Sequence, residues 1–294
     1  MAIDSKSYTL GAALSRYEIV LKGRHAPSTV KTYMSRLRVI SDLLGRERLL
    51  RSISVAELET VQASYREGRS NNTVAHAVSI WKGFFGWSEQ VSLLRRSPAQ
   101  YLVPPRRIEP DPRPLTEEVF CALRDLMNQE KIQSNDPLTR RNATLVLFLV
   151  YTGLRRSEAA RVKWENLDWS QRVLRVIGKR GKVRYVPLPL LLIPHLRQLQ
   201  ADSQRTYGPI FAKDQGEPLH PYTFNVIFSR WVVDRLGQHL SPHILRHTYA
   251  TRMHEHGANY EEIGEILGHT SIRTTKLYVR KRIAPLLKLV DRLT

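Results

Sequence analysis

Six side chains in the second half of the chain are of types suited to chemistry on phosphate: Arg155, Lys179, His243, Arg246, His269 and Tyr278. They lie in four separated pieces. These are Thr152-Gly153-Leu154-Arg155-Arg156-Ser157-Glu158, a glycine- and lysine-rich turn at 178–182, His243-Ile244-Leu245-Arg246-His247, and Leu267-Gly268-His269 with Tyr278 nine residues after the histidine. Each alone has an ordinary reading: Arg155 as a surface ion-pair partner, Lys179 as a solvated charge, His243 and Arg246 as neighbours on one helix face, Tyr278 as a half-buried aromatic. Together they fit phosphodiester transfer. Planar guanidinium groups from Arg155 and Arg246 can hold the non-bridging oxygens of an attacked phosphate and stabilise the charge added in the transition state. A tyrosine hydroxyl, with a pKa of about 10, is ionised in only about one molecule in a thousand near pH 7, so Tyr278 needs a base. His243 is the best-placed imidazole for that task. The leaving oxygen needs a proton, which a lysine on a hairpin tip can deliver; Lys179 is assigned to it, with Lys182 as the alternative.

The elements that position these residues can be read from pattern. An apolar run at 142–151 predicts a buried helix that Gly153 ends, placing Arg155 at the entry to a next helix running through Glu158 to about Trp164. Alternation at 172–177 and 183–186 around a Gly/Lys-rich turn predicts a hairpin. Ser241 and Pro242 start a helix that carries His243 and Arg246 and ends near Gly257, and a further helix covers 259–267, stopped by Gly268. Past Tyr278, the apolar residues Ile283, Leu286, Leu287, Val290 and Leu293 recur at helical spacing, as on an amphipathic helix.

Five prolines, at 104, 105, 110, 112 and 114, alternate with charged residues and exclude helix there. This stretch predicts a semi-rigid spacer at 105–113 between an N-terminal domain at 1–104 and a second domain at 114–294. The first half reads as helices alone. One starts at Pro27 and Ser28 and stops at Gly45, a second opens on a Ser54 and Glu57 capping box and ends near Gly68, and a third covers 73–89. The fold class expected is an all-α helical bundle followed by a mainly α domain with a small β-sheet, of the α+β type.

With 294 residues and 42% hydrophobic residues the chain can give each domain a core, which excludes disordered and fibrous classes. The net charge is +19, a field that attracts polyanions. Residues 1–104 hold 15 Lys and Arg against 8 Asp and Glu, and the remainder holds 31 against 19, as expected if both halves touch one polyanion. The single cysteine, Cys121, cannot make an internal disulfide, and the apolar run at 145–151 is far short of the roughly 20 residues that span a bilayer. A secretory signal pattern is not evident at the start. These features predict a cytoplasmic, DNA-associated protein with no membrane partner.

The ordered motif set resembles the tyrosine recombinase, or phage integrase, family, which includes the Xer and Cre recombinases. Arg155 matches the family's first arginine, Lys179 its hairpin lysine, His243 and Arg246 its His-x-x-Arg, and 267–269 its Leu-Gly-His; Tyr278 stands at the nucleophile's place. The resemblance implies attack by Tyr278 on a scissile phosphate to give a 3′-phosphotyrosyl link, then strand exchange through a four-way junction in a tetramer on double-stranded DNA. It implies no cofactor and no metal, because the bond energy is kept in the covalent link. His269 is implied to hydrogen-bond the phosphate, and Glu158 to brace the site. The N-terminal half corresponds by layout to a core-binding domain, and an additional arm-binding domain is not expected. The tail after Tyr278 either packs on its own domain or, as in relatives, docks on a neighbouring protomer. Many relatives carry histidine two residues after the nucleophile, where this chain has Arg280. Two alternatives stay open at this level: a type IB topoisomerase-like enzyme that reseals the strand it cut, and a DNA-binding regulator without the reaction. A need for a second recombinase is also open.

Overall fold

The computed structural model describes residues 8–108, 113–178 and 181–269. Lys179, Tyr278 and the tail at 283–293 lie outside the described residues. Two compact units divide the chain, Met1–Glu109 and Pro110–Thr294.

Among the described residues, the α-helices of the first unit are α1 (Leu10–Arg24), α2 (Pro27–Leu44), α3 (Val55–Arg66) and α4 (Asn71–Gln90). Thr9 caps α1, which buries Leu10, Ala13, Leu14, Tyr17 and Leu21 along one stripe. Pro27 opens α2, and Gly45 closes it at φ +89°. The Ser54 and Glu57 capping box starts α3. Ser70, three residues before the expected start, caps α4, which buries Val74, Ala77, Trp81, Phe84 and Phe85 at the centre of the bundle. The proline stretch is strapped to this unit as far as Ile108. Asn72 pairs with both backbone groups of Ile108, donating from Nδ2 to the carbonyl (2.7 Å) and accepting from the N–H (2.9 Å), and Gln62 Nε2 donates to the Val103 carbonyl. Side-chain amides thus serve a backbone that proline bars from helix and sheet pairing.

In the second unit, α5 (Glu117–Gln133) packs on α6 (Pro137–Thr152), which Asp136 caps through Leu138 and Thr139 N–H. From Ala143 to Val150 α6 is buried all round, as a helix at the centre of a core must be. The next helix, α7 (Arg156–Ala159), is only four residues long rather than reaching Trp164; Trp164–Asn166 forms a separate 3₁₀ turn. β1 (Leu167–Asp168), β2 (Val173–Ile177) and β3 (Val183–Pro187) make an antiparallel sheet in the order β1-β2-β3. Arg172, expected in the strand, has φ +52° and sits in the turn before it. α8 (Ile193–Ser203) follows. Next come α9 (Pro221–Val226), a π-helical turn at Ile227–Val232 and α10 (Val233–Leu236). α11 (Pro242–Glu255) packs against α6 and α12 (Tyr260–Leu267). No helix among the described residues is long and apolar enough to cross a membrane.

Candidate active site

The C-terminal end of α12 is the point on which the motif residues converge. A helix leaves its last carbonyls unpaired and its negative dipole end exposed, which favours cationic partners. Here three guanidinium groups fill that role. Arg184 Nε donates to the Ile266 carbonyl at 2.6 Å, Arg246 Nη2 to the Leu267 carbonyl at 2.7 Å, and Arg155 Nη1 to the same Leu267 carbonyl at 3.4 Å. Gly268 then turns the chain at φ +66°, with the His269 N–H returning to the Gly264 carbonyl and the Gly268 N–H to Glu265. That turn brings His269 Nε2 to 2.9 Å from Arg246 Nη2. Arginine has donors only, so Nε2 accepts and the imidazole proton sits on Nδ1.

Arg155 is set by the end of α6. Gly153 adopts φ +59°, and a Cβ there would lie 2.6 Å from Tyr249 Cδ1 and 2.7 Å from Leu267 Cδ2. Only glycine allows both the backbone turn and the approach of α11 and α12. Its carbonyl accepts from Arg246 Nη1 at 2.8 Å, joining the two arginine motifs directly. Two residues later Arg155 opens α7, and Glu158 reaches back to accept from the Arg155 N–H at 2.9 Å. Glu158 Oε1 also accepts from Arg155 Nη1 at 3.0 Å, and Arg246 Nη1 stands 4.0 Å from Oε2. The Arg155 side chain remains 40% exposed, whereas Arg246 is fully buried.

Charge states follow from this packing. Burial favours the neutral acid of Glu158, but hydrogen bonds from Arg184 and the Arg155 N–H, with the charges of both arginines, hold its pKa below the ordinary carboxylate value. Burial, then the charges of Arg246, Arg155 and Arg184, press His269 down to about 3. His243, one turn before Arg246 on α11, is lowered by burial first and by Arg246 and Arg155 next. Both imidazoles are therefore neutral near pH 7. His243 also lies edge-to-face against His247, with ring centroids 4.5 Å apart.

Arg155, Arg246 and His269 are thus brought together around Leu267, with His243 on the same helix as Arg246. The base of the lysine turn is placed as well: the Gly178 N–H donates to the Lys182 carbonyl at 2.8 Å, and a Cβ on Gly178 would lie 3.8 Å from Glu158 Oε1. Lys182 is exposed. The sequence reading missed Arg184. Its strand alternates, and Arg184 shares the inward phase with Val186. A charge in the buried phase of a strand demands a buried counterion, and that was the available signal. No group of three or more His, Cys, Asp or Glu suited to a metal ion occurs among the described residues.

Residues 114–284 match the model of the phage integrase family. The chain is 30% identical to tyrosine recombinase XerC of Stutzerimonas stutzeri, over 89% of this chain and 85% of that protein. It is 26% identical to tyrosine recombinase XerC of Chromobacterium violaceum, over 93% and 90%. Among solved structures, the Tn1549 transposon integrase in complex with transposon right end DNA superposes with a TM-score of 0.78 at 19% identity, covering 97% of this chain and 99% of that one. A lambda integrase dimer bound to a COC′ core site gives 0.76 at 19% identity, covering 92% and 95%. With the family model spanning more than half of its length, the chain belongs to the phage integrase family, the site-specific tyrosine recombinases.

Proposed function

We propose that this recombinase cleaves double-stranded DNA through Tyr278, with Arg155, Lys179, His243, Arg246 and His269 as the catalytic set. The observation that carries the reading is the meeting of Arg155 and Arg246 at one backbone carbonyl, that of Leu267, with the His269 ring hydrogen-bonded to Arg246 beside it. Two guanidinium donors with an imidazole beside them, drawn from three separated motifs, suit an anion with more than one oxygen. A scissile phosphate would take the exposed face of Arg155 and exchange its oxygen for the Arg246–His269 contact. The Tyr278 hydroxyl then attacks phosphorus while His243 accepts its proton, and the bond to the 5′ oxygen breaks as Lys179 protonates it. The products are a 3′-phosphotyrosyl link and a 5′ hydroxyl. Attack of that hydroxyl on the partner duplex's phosphotyrosyl link releases the tyrosine and gives the recombinant strand.

The solved neighbours were determined with DNA, as transposon-end and core-site complexes. Carried to this chain, that supports duplex DNA as the partner; the family resemblance further implies residues 1–104 as a core-binding domain and a tetramer in which the tail after Tyr278 docks on a neighbouring protomer. The test is a plasmid carrying two cognate sites. The wild-type chain is expected to give recombinant product, and Tyr278→Phe to bind the sites within about threefold while giving none. Supercoil relaxation without recombinant product would favour a topoisomerase-like role, and recombination by Tyr278→Phe would remove the nucleophile assignment.

A further inference from the structure

Arg184 belongs to none of the motifs that marked the site, yet it touches three of them. Its side chain is 7% exposed. Nη1 and Nη2 donate to Glu158 Oε1 (3.1 Å) and Oε2 (2.8 Å), a two-pronged pair, while Nε holds the Ile266 carbonyl at the end of α12. The guanidinium also packs so close to Gly268 that a Cβ there would lie 3.0 Å from Nη1, and a Cβ on Gly178 would stand 3.5 Å from it. One side chain on β3 therefore meets the Glu158 turn, the Leu-Gly-His turn and the glycine before the lysine turn.

The carboxylate that Arg184 grips is the one that grips Arg155. Glu158 is itself buried, so its orientation and its ionised state depend on the paired guanidinium. Arg155 is the partly exposed arginine, with more rotational freedom to lose than the enclosed Arg246.

We propose that Arg184 is a positioning residue: by fixing the Glu158 carboxylate between β3 and the end of α12, it aims the Arg155 guanidinium at the scissile phosphate. This rests on the reading of Arg155 as a phosphate ligand. Lysine at 184 keeps the charge but, as a single ammonium head, cannot span both carboxylate oxygens and the Ile266 carbonyl.

The experiment is a double-mutant cycle in the full chain, reading the single-turnover rate of covalent complex formation on a nicked duplex at saturating protein. Arg184→Lys is expected to slow cleavage at least 10-fold while DNA affinity stays within about threefold. On an Arg155→Lys background the same change should slow cleavage by less than threefold, because Arg184 acts through Arg155. Additive effects, or an Arg184→Lys protein with the wild-type rate, would overturn the proposal. A neutral pair, Arg184→Met with Glu158→Gln, separates positioning from simple charge burial. It is expected to melt near the wild-type temperature yet remain at least 10-fold slow; recovery of both stability and rate, or loss of folding in every variant, would make Arg184 purely structural. An Arg155→Lys protein that cleaves like wild type would instead count against the catalytic reading itself.

Discussion

Histidine protonation at this site is governed by burial and by the surrounding guanidinium groups, and that makes the residue scale testable by pH. His269 has a folded pKa of about 3 against an ordinary value of 6.5. As pH falls below 6.5 the unfolded chain takes up a proton that the folded imidazole refuses, so stability is present above 6.5 and is lost progressively toward pH 3. Thermal melting between pH 7 and 4 should therefore be less steep in pH for His269→Asn than for wild type; parallel curves would contradict the buried neutral state. His243 is lowered in the same direction, so cleavage at limiting DNA should keep an acid limb centred below pH 6.5. An acid limb at or above 6.5 would argue against His243 as the base. Most of these residues were legible because each motif is short and local in sequence. Arg184 was not, since its meaning lies in Glu158, 26 positions away, and in the carbonyl of Ile266, 82 positions away.

At the scale of elements, capping explains both what was readable and what was not. The Ser54 and Glu57 box and the Ser241-Pro242 start announce their helices within a few residues, and the structure has them there. The extent of α7 could not be read in the same way. Its four residues are followed by a break, because the backbone at Val162 and Trp164 is taken up by Ile210 and Gly208 from a distant segment. β1 was likewise invisible, being two residues paired to β2 by tertiary placement rather than by propensity. Gly153 is the element junction on which the site turns. Gly153→Ala combines a left-handed backbone with overlap on Tyr249 and Leu267. It is expected to cost about 2–5 kcal/mol, read as a lower melting midpoint. An unchanged midpoint would show that α11 and α12 can move apart. The lysine turn is tested by leaving-group chemistry. Lys179→Ala should slow cleavage at least ~100-fold on ordinary DNA and recover to within about 10-fold on a substrate with sulfur at the bridging 5′ position. Recovery confined to Lys182→Ala would transfer the role to Lys182.

Over the whole molecule, the chain divides into two units, Met1–Glu109 and Pro110–Thr294; the prolines predicted a spacer at 105–113, and part of that stretch is strapped to the first unit through Asn72 and Gln62. Their side-chain amides leave no periodic trace in sequence. Positive charge is spread over both halves, so duplex affinity should fall steeply with salt. With roughly 6 phosphates neutralised, the loss between 50 and 200 mM salt is about 10³-fold. Salt-insensitive binding, or one unit binding as tightly as the full chain, would contradict joint engagement of the DNA. The central claim, however, is a covalent bond at one named atom. The most direct measurement traps the full chain on a nicked duplex, trims the DNA with nuclease, and maps the remaining nucleotide adduct by peptide mass spectrometry. The account predicts the adduct on Tyr278, joined to a 3′ phosphate. An adduct on Tyr249, Tyr260 or any other residue, or a trapped complex with no protein-linked phosphate, would contradict it.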